Sequence, residues 1–121
     1  MQSNTCVCNV KVKFIRPQYQ DLSEWMADSN NVYVGRKGIV FINGERFPKK
    51  DSLWANPYKI NKDSTRETVI DRYKKYIIEK LENDDKLMEE LKLLKGKTLG
   101  CWCHPEECHA DVLVKLVNEY F

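Results

Sequence analysis

The first apolar pattern of the chain predicts a strand over residues 9–15. There, Val10, Val12 and Phe14 alternate with polar residues, two of which are lysines. A period of two residues is typical of a strand that buries one face. The strand is expected to end before Pro17, because proline restricts the residue that precedes it.

Two further β-rich runs, residues 32–34 and 39–42, follow in the first half of the chain. Asn43-Gly44 stands directly after the second run, and this dipeptide is typical of a two-residue hairpin turn. These patterns predict a small sheet with a β-hairpin.

Helices are predicted by capping patterns and by apolar residues at helical spacing. Asp21 with Glu24 opens a short helix that continues through Met26, and Ser64 to Glu67 opens a long one. A third helix covers about residues 84–94 and is ended by Gly96. The apolar faces of the three longer predicted helices are Val69, Ile70, Tyr73, Ile77 and Leu81; Leu87, Met88, Leu91 and Leu94; and His109, Val112, Leu113, Leu116, Val117 and Tyr120.

The last third of the chain predicts a buried strand over residues 98–103 and a helix from about residue 106 to 120. The expected fold is therefore α/β, or α+β, with one small sheet, a β-hairpin and three or four flanking helices. It ends in strand, loop and helix. No repeat, linker or change of composition marks a boundary, so residues 1–121 are expected to form a single domain.

Bulk composition narrows the class of protein. The chain has 121 residues with 20 Lys and Arg against 18 Asp and Glu, a balance that does not indicate a nucleic-acid partner. It has neither an apolar stretch of membrane-spanning length nor a secretory signal, so a cytoplasmic location is expected. In a reducing compartment the five cysteines are expected to be free thiols or metal ligands.

Candidate chemistry is concentrated in residues 101–109, which contain three of the five cysteines and both histidines. This segment is predicted to lie at the carboxyl end of a strand, where open α/β sheets bind ligands. Cys108 is placed in the first turn of the last helix, where the helix dipole lowers the pKa of a thiol. Cys108 is therefore a candidate nucleophile, with His109 or Asp111 as base or orienting group and Cys103 close by.

Zinc is the alternative for the same segment. Cys101, Cys103, Cys108 and His109, with His104 as a further ligand, supply enough sulfur and nitrogen for a tetrahedral site. Their spacing lacks the paired C-x2-C pattern of common zinc sites, so no metal is expected. Cys101 is the cysteine best explained as a small buried apolar residue.

Several ordered blocks are similar to a known family. They are Val32–Arg36, Ser52–Tyr58, Arg66 with Tyr73, Leu99–Cys103, and Cys108–Leu113. In this combination the chain resembles the family called domain of unknown function 4326, which occurs in bacteria, phages and large DNA viruses. The resemblance covers about residues 31–118, leaving residues 1–30 as an N-terminal strand and a short helix. It implies no activity, and it assigns no role to Cys6 or Cys8.

The same blocks supply candidate ligand-binding residues. Gly35 permits close approach of a ligand to the backbone, and Arg36 and Arg66 can hold a phosphate or carboxylate. Trp54 is a candidate aromatic platform, and Asn56 can read a polar edge. Each also has an ordinary explanation, because an arginine can be a solvated surface residue and Trp54 can be a plug in the core.

Three functional hypotheses follow from the sequence. The first is a domain that binds an anionic, planar metabolite such as a nucleotide and acts on it through the Cys/His segment. The second is a module that sequesters such a ligand without chemistry. The third is a zinc-stabilised domain that contacts protein or nucleic acid.

Overall fold

The computed structural model of the protein describes residues 5–58, 64–103 and 106–121. Within these ranges the chain forms five strands and five helices. In chain order they are β1 (Cys6–Asn9), α1 (Val12–Ile15), α2 (Leu22–Ala27), β2 (Asn31–Tyr33), β3 (Val40–Ile42), β4 (Glu45–Phe47), α3 (Arg66–Asn83), α4 (Asp85–Lys92), β5 (Thr98–Cys101) and α5 (His109–Tyr120).

The main sheet consists of three parallel strands in the order β1-β5-β2. Leu99 on the central strand is in register with Val7 on one side and with Val32 on the other. The predicted hairpin forms from β3 and β4, which pair with each other as a separate two-stranded sheet. Its turn residues Asn43 and Gly44 have φ values of 53° and 79°, which the Asn-Gly dipeptide tolerates. The predicted α/β fold class is confirmed.

The three-stranded sheet lies between two apolar clusters. On one face, Leu99 and Cys101 of β5 pack into the larger cluster, which contains the buried sides of α3, α4 and α5. On the other face, Trp25 of α2 packs over Gly100. Because side chains alternate along a strand, β5 serves both layers, which gives three layers around a short sheet.

The strand predicted over residues 9–15 is wrong. The β1 strand ends at Asn9, whose side-chain oxygen accepts the Lys11 N–H at 3.0 Å, and one turn of helix, α1, follows. This local hydrogen bond from an asparagine competes with the strand ladder and diverts the chain. Of the apolar residues expected on one face, Val10 is buried, whereas Val12 and Phe14 are 43% and 55% exposed.

The two capping patterns located the starts of α2 and α3, although α3 is capped by Thr65, one residue after the Ser64 that the pattern indicated. Asp21 accepts the Glu24 N–H at the start of α2, and Thr65 accepts the Thr68 N–H at the start of α3. Asp84 caps α4 through two backbone N–H groups, and Gly96 follows that helix with φ 78°. Among the described residues no helix is long and apolar enough to cross a membrane.

The segment between the last strand and the last helix is longer than the sequence indicated. The β5 strand ends at Cys101 and α5 begins at His109, with Cys108 as its N-cap residue. The apolar face of α5 is buried as predicted from Val112 to Val117, but Tyr120 is 45% exposed. Cys103 and Cys108 therefore lie on the connection rather than within the elements.

The contact between Gly100 and Trp25 gives a direct test of the three-layer packing. A Cβ built on Gly100 would lie 2.4 Å from the Trp25 ring and 2.7 Å from Val10 Cγ1. We expect Gly100→Ala to lower the free energy of unfolding by about 1–3 kcal/mol through overpacking. Urea denaturation measures this loss, and Lys74→Ala on the exposed side of α3 is the control, expected within about 0.5 kcal/mol of wild type. An unchanged Gly100→Ala variant would contradict the packing.

Candidate active site

A cleft of about 360 Å³ opens at the carboxyl ends of β2 and β5. This volume lies within the roughly 300–1,000 Å³ of typical small-ligand sites. Four parts of the chain line it: Gly35, Arg36 and Ile39 after β2; Asn56 and Tyr58 after β4; Arg66, Val69 and Ile70 in α3; and Cys101, Trp102, Cys103, Glu107, Cys108 and His109 between β5 and α5.

The structure brings most of the predicted site residues to this cleft. The predicted site residues that line the cleft are Gly35, Arg36, Asn56, Arg66, Cys101, Cys103, Cys108 and His109. They come together because two adjacent parallel strands end at the same edge of the sheet and α3 and α5 both begin there. Trp54 and Asp111 are not among the lining residues.

Trp54 is a core residue and not an aromatic platform, which corrects the prediction. Its ring is 4% exposed and packs within the larger apolar cluster. Its carbonyl accepts the Tyr73 hydroxyl at 2.8 Å, a bond that ties the loop to α3. The aromatic walls of the cleft are instead Trp102 and Tyr58, which the sequence analysis did not select.

Asp111 caps α5. Its carboxylate accepts the Cys108 backbone N–H at 2.9 Å, as expected for an acid three residues after the N-cap position. This contact fixes the backbone of Cys108 and so orients the cysteine.

Arg36 organises the cleft wall. It donates from Nε to the Asn56 carbonyl at 2.8 Å and from Nη2 to the Tyr58 carbonyl at 2.7 Å. Asn56 in turn accepts the Tyr58 N–H, forming a compact turn. Two guanidinium donors are thus committed to the protein, so Arg36 supplies positive charge to the cleft while holding its loop in place.

Gly35 makes room for a tyrosine. A Cβ at this position would lie 2.4 Å from the Tyr33 hydroxyl, which folds back to donate to the Arg36 carbonyl at 2.7 Å. The same hydroxyl accepts the Trp102 indole N–H at 2.9 Å. This chain of contacts positions the Trp102 ring at the cleft, and the only sequence signal for it is a tryptophan between two cysteines at the end of a buried strand.

Three cysteines gather at the floor of the cleft. Cys108 Sγ lies 3.3 Å from Cys101 Sγ, and it is also a hydrogen-bond partner of Cys103. Cys101 and Cys108 are 2% and 4% exposed, whereas Cys103 is only partly buried. None of the three forms a disulfide bond, and because Cys101 and Cys108 are buried, Cys103 is the one that a ligand can reach.

The pKa of Cys103 is lowered to about 6. The hydrogen bond from Cys108 contributes most, and the guanidinium of Arg66 adds a second hydrogen bond and a favourable charge. Both stabilise the thiolate more than the thiol. At neutral pH, Cys103 is therefore mainly ionised.

Cys108 behaves in the opposite way, contrary to the expectation from its place at a helix N-terminus. Its pKa is raised, first by the hydrogen bond to Cys101, then by the bond to Cys103 and by burial. The neighbouring sulfur atoms favour a protonated Cys108 more strongly than the helix dipole favours its thiolate. The S–H of Cys108 donates to Cys101 Sγ.

Arg66 connects the cysteine cluster to the protein surface. It forms an ion pair with Glu106 at 2.7 Å and donates to the Glu107 carbonyl at 3.2 Å. Its side chain remains 38% exposed, and its pKa is raised chiefly by the hydrogen bond to Cys103. One arginine thus serves a thiolate, a carboxylate and a backbone carbonyl at the mouth of the cleft.

His109 is directed toward the sheet, as its apolar face predicted. Its Nε2 lies 2.6 Å from the Val34 carbonyl oxygen, and its ring packs edge-on against Tyr73. Because a carbonyl only accepts, Nε2 carries the proton and Nδ1 is the acceptor in the neutral ring. Burial lowers the pKa of His109, so the ring is neutral at pH 7.

Among the described residues, no group of three or more Cys, His, Asp and Glu side chains is arranged to hold a metal ion. His109 is directed to a carbonyl, and His104 lies outside the described residues.

The chain belongs to the family described as domain of unknown function (DUF4326), whose profile matches residues 18–119. The matched region thus begins upstream of residue 31, the position at which the resemblance to the family was expected to begin.

Two relatives are uncharacterized viral proteins. One, from Acanthamoeba polyphaga mimivirus, is 35% identical over 101 residues, which cover 74% of this chain and 71% of the relative. Another is a 12.4 kDa protein encoded in the nrdA-td intergenic region of Enterobacteria phage T4. It is 33% identical over 73 residues, covering 60% of this chain and 66% of the relative. No solved structure matches.

The buried histidine predicts a pH dependence of stability. His109 resists protonation in the folded state, so stability should fall as pH drops below its ordinary pKa of about 6.5, by at most about 1.4 kcal/mol per pH unit. We expect His109→Gln to reduce the loss of unfolding free energy between pH 7.0 and 5.5, measured with urea. Lys74→Ala should lose as much unfolding free energy over this pH range as wild type does. If His109→Gln also loses as much as wild type, His109 is not the group responsible for the pH dependence.

Proposed function

We propose that this domain binds a nucleotide or a nucleotide-derived anionic metabolite in the cleft and acts on it with Cys103 as the nucleophile. The observation that carries the proposal is the position of Cys103, which is only partly buried and lies beside Arg66 at the mouth of a cleft of small-ligand size. A reachable thiol with a lowered pKa next to a cation is the arrangement found at reactive cysteines.

The lining of the cleft supports a ligand that is both planar and anionic. Trp102 and Tyr58 offer ring surfaces, and Val69 and Ile70 add an apolar wall. Arg36 and Arg66 contribute positive charge at two sides. A nucleotide combines a flat base with a phosphate, so one molecule can use both kinds of wall.

The surrounding groups support nucleophilic chemistry at Cys103. Arg66 donates a hydrogen bond to the Cys103 sulfur, and Cys108 is the second hydrogen-bond partner of that sulfur, so the thiolate is stabilised before a ligand enters. His109 contributes a neutral imidazole to the cleft wall, with Nδ1 as its acceptor. A cytoplasmic location fits the proposal, since a reducing compartment keeps these thiols free.

Thiol labelling tests the nucleophile. We expect iodoacetamide to alkylate Cys103 at pH 7 severalfold faster than Cys6, because a pKa near 6 makes most of Cys103 a thiolate. Peptide mass spectrometry assigns the modified cysteine. The rate of Cys103 labelling should level off above about pH 7, because a thiol with a pKa near 6 is almost fully ionised there.

Arg66→Ala should slow the labelling of Cys103 at pH 7, and Arg66→Lys should slow it less, since a lysine keeps the charge. If folded wild-type protein labels Cys103 no faster than Cys6, Cys103 is not the nucleophile. The domain would then be a binding module without this chemistry.

Ligand binding is tested with adenosine monophosphate, using adenosine and inorganic phosphate as partial probes. We expect calorimetry to show tighter binding of the nucleotide than of either part, and the nucleotide to protect Cys103 from iodoacetamide. Arg66→Ala should weaken nucleotide binding by about 1.5–3 kcal/mol, the range for a hydrogen bond to a charged group. Lys86→Ala on α4 is the matched control. If Arg66→Ala and wild type bind the nucleotide with equal affinity, the prediction that its phosphate binds in this cleft is wrong.

A further inference from the structure

The net charge of +2 conceals an uneven distribution of charge along the chain. Residues 1–50 carry eight Lys and Arg against four Asp and Glu, and the first twenty residues carry no acid at all. In the structure, the acid-free segment includes α1 and the loop before it, with Lys11 and Lys13 exposed. The excess of positive charge therefore lies on the carboxyl-end side of the sheet, beside the cleft.

A second cavity of about 340 Å³ continues from the cleft along this basic segment. We call it the basic groove, and its lining includes Lys11, Lys13 and Phe14. It shares Arg66, Trp102 and Cys103 with the cleft, so the two are adjacent at the thiolate. Glu106 is its one acidic lining residue, and that carboxylate is paired with Arg66.

A third cavity of about 450 Å³ extends the path between α1 and the hairpin. It shares Lys11 and Trp102 with the basic groove and adds Arg16 and Phe41. Asp21, its acidic lining residue, is used as the N-cap of α2. The cleft and the two cavities thus form a series joined at Trp102, with lysine and arginine along its side.

Exposed aromatic rings with cations accompany this series of cavities. Phe14 is 55% exposed and has the Lys13 ammonium 5.0 Å from its ring centre, and Phe41 is 65% exposed with the Arg46 guanidinium at 4.8 Å. An exposed ring beside a cation can stack a base while the cation attracts the attached phosphate. Phe14 and Lys13 line the basic groove, and Phe41 lines the third cavity.

We propose that the substrate class of this site is single-stranded nucleic acid. One nucleotide occupies the cleft next to Cys103, and the flanking strand follows the basic groove past Lys11, Lys13 and Phe14. The inference rests on the proposed function, because it takes the cleft to hold one nucleotide. Stacking on exposed rings requires bases that are not already stacked and paired within a duplex, which favours a single strand. An acidic peptide would satisfy the lysines but would leave the rings unused.

The test is fluorescence anisotropy with a fluorescein-labelled 12-nucleotide single strand of mixed sequence, at several salt concentrations. We expect Lys11→Glu/Lys13→Glu to weaken binding at least about tenfold and to reduce the dependence of log K on log salt by at least about 0.7, the slope of one phosphate contact on a single strand. Phe14→Ala should weaken binding at least about fivefold through lost stacking. These residues are exposed, so circular dichroism should show that both variants remain folded.

The matched control is Lys86→Glu/Lys92→Glu on α4. It changes the net charge by the same amount, and α4 is followed by Gly96, whose N–H bonds Thr5 at the amino end of the sheet, away from the cleft. The affinity of this control variant for the labelled single-stranded oligonucleotide should stay within about twofold of wild type. A loss equal to that of Lys11→Glu/Lys13→Glu would show a nonspecific charge effect and overturn the inference. Equal competition by duplex DNA or by polyglutamate would also overturn it.

Two separate readouts distinguish this inference from the proposed function. Adenosine monophosphate binding should be unchanged in Lys11→Glu/Lys13→Glu, because those lysines do not line the cleft. If the mononucleotide binds and the strand binds no tighter, the single-strand inference fails and the proposed function stands. If the strand binds through Lys11 and Lys13 but neither ligand protects Cys103 from iodoacetamide, the assignment of the cleft fails.

Discussion

The central position of β5 is the constraint on which the rest of the molecule depends. This strand of four residues pairs with β1 on one edge and β2 on the other, although about ninety residues separate it from β1 along the chain. Its alternating side chains are shared between two apolar layers, and Gly100 must lack a side chain so that Trp25 can pack. Because both neighbours are parallel to it, the carboxyl ends of all three strands lie at the same edge of the sheet, where the cleft forms.

The three thiols at that edge have different surroundings, and this difference favours the ionisation of Cys103. Cys101 and Cys108 are buried against each other, and the hydrogen bond between them raises the pKa of Cys108. Cys103 is partly exposed and receives hydrogen bonds from Cys108 and Arg66, which favour its ionised form. A histidine was expected to activate the nucleophilic cysteine. The buried thiol of Cys108 and the surface arginine Arg66 stabilise the ionised Cys103 instead, and His109 remains neutral at the Val34 carbonyl.

The cleft walls show how support residues and lining residues are divided. Arg36 and Gly35 belong to one bonded unit, in which the Tyr33 hydroxyl accepts from Trp102 and donates to Arg36. That unit holds the Trp102 ring in place, while Trp54 stabilises the opposite loop from within the core. Aromatic residues therefore have both roles in this site, and burial decides which role each one has.

The sequence by itself determined the features that depend on neighbouring residues. Capping residues such as Asp21 and Asp84 and the Asn43-Gly44 turn act over a few positions, so their elements could be predicted. The concentration of cysteine and histidine between residues 101 and 109 also located the candidate site. Tertiary structure decided what depends on distant partners. Asn9 ended the first strand early, and Arg66 became the neighbour of Cys103 from 37 positions away. A thiol pKa is set by charges and burial in space, so only the folded chain made Cys103 rather than Cys108 the thiolate.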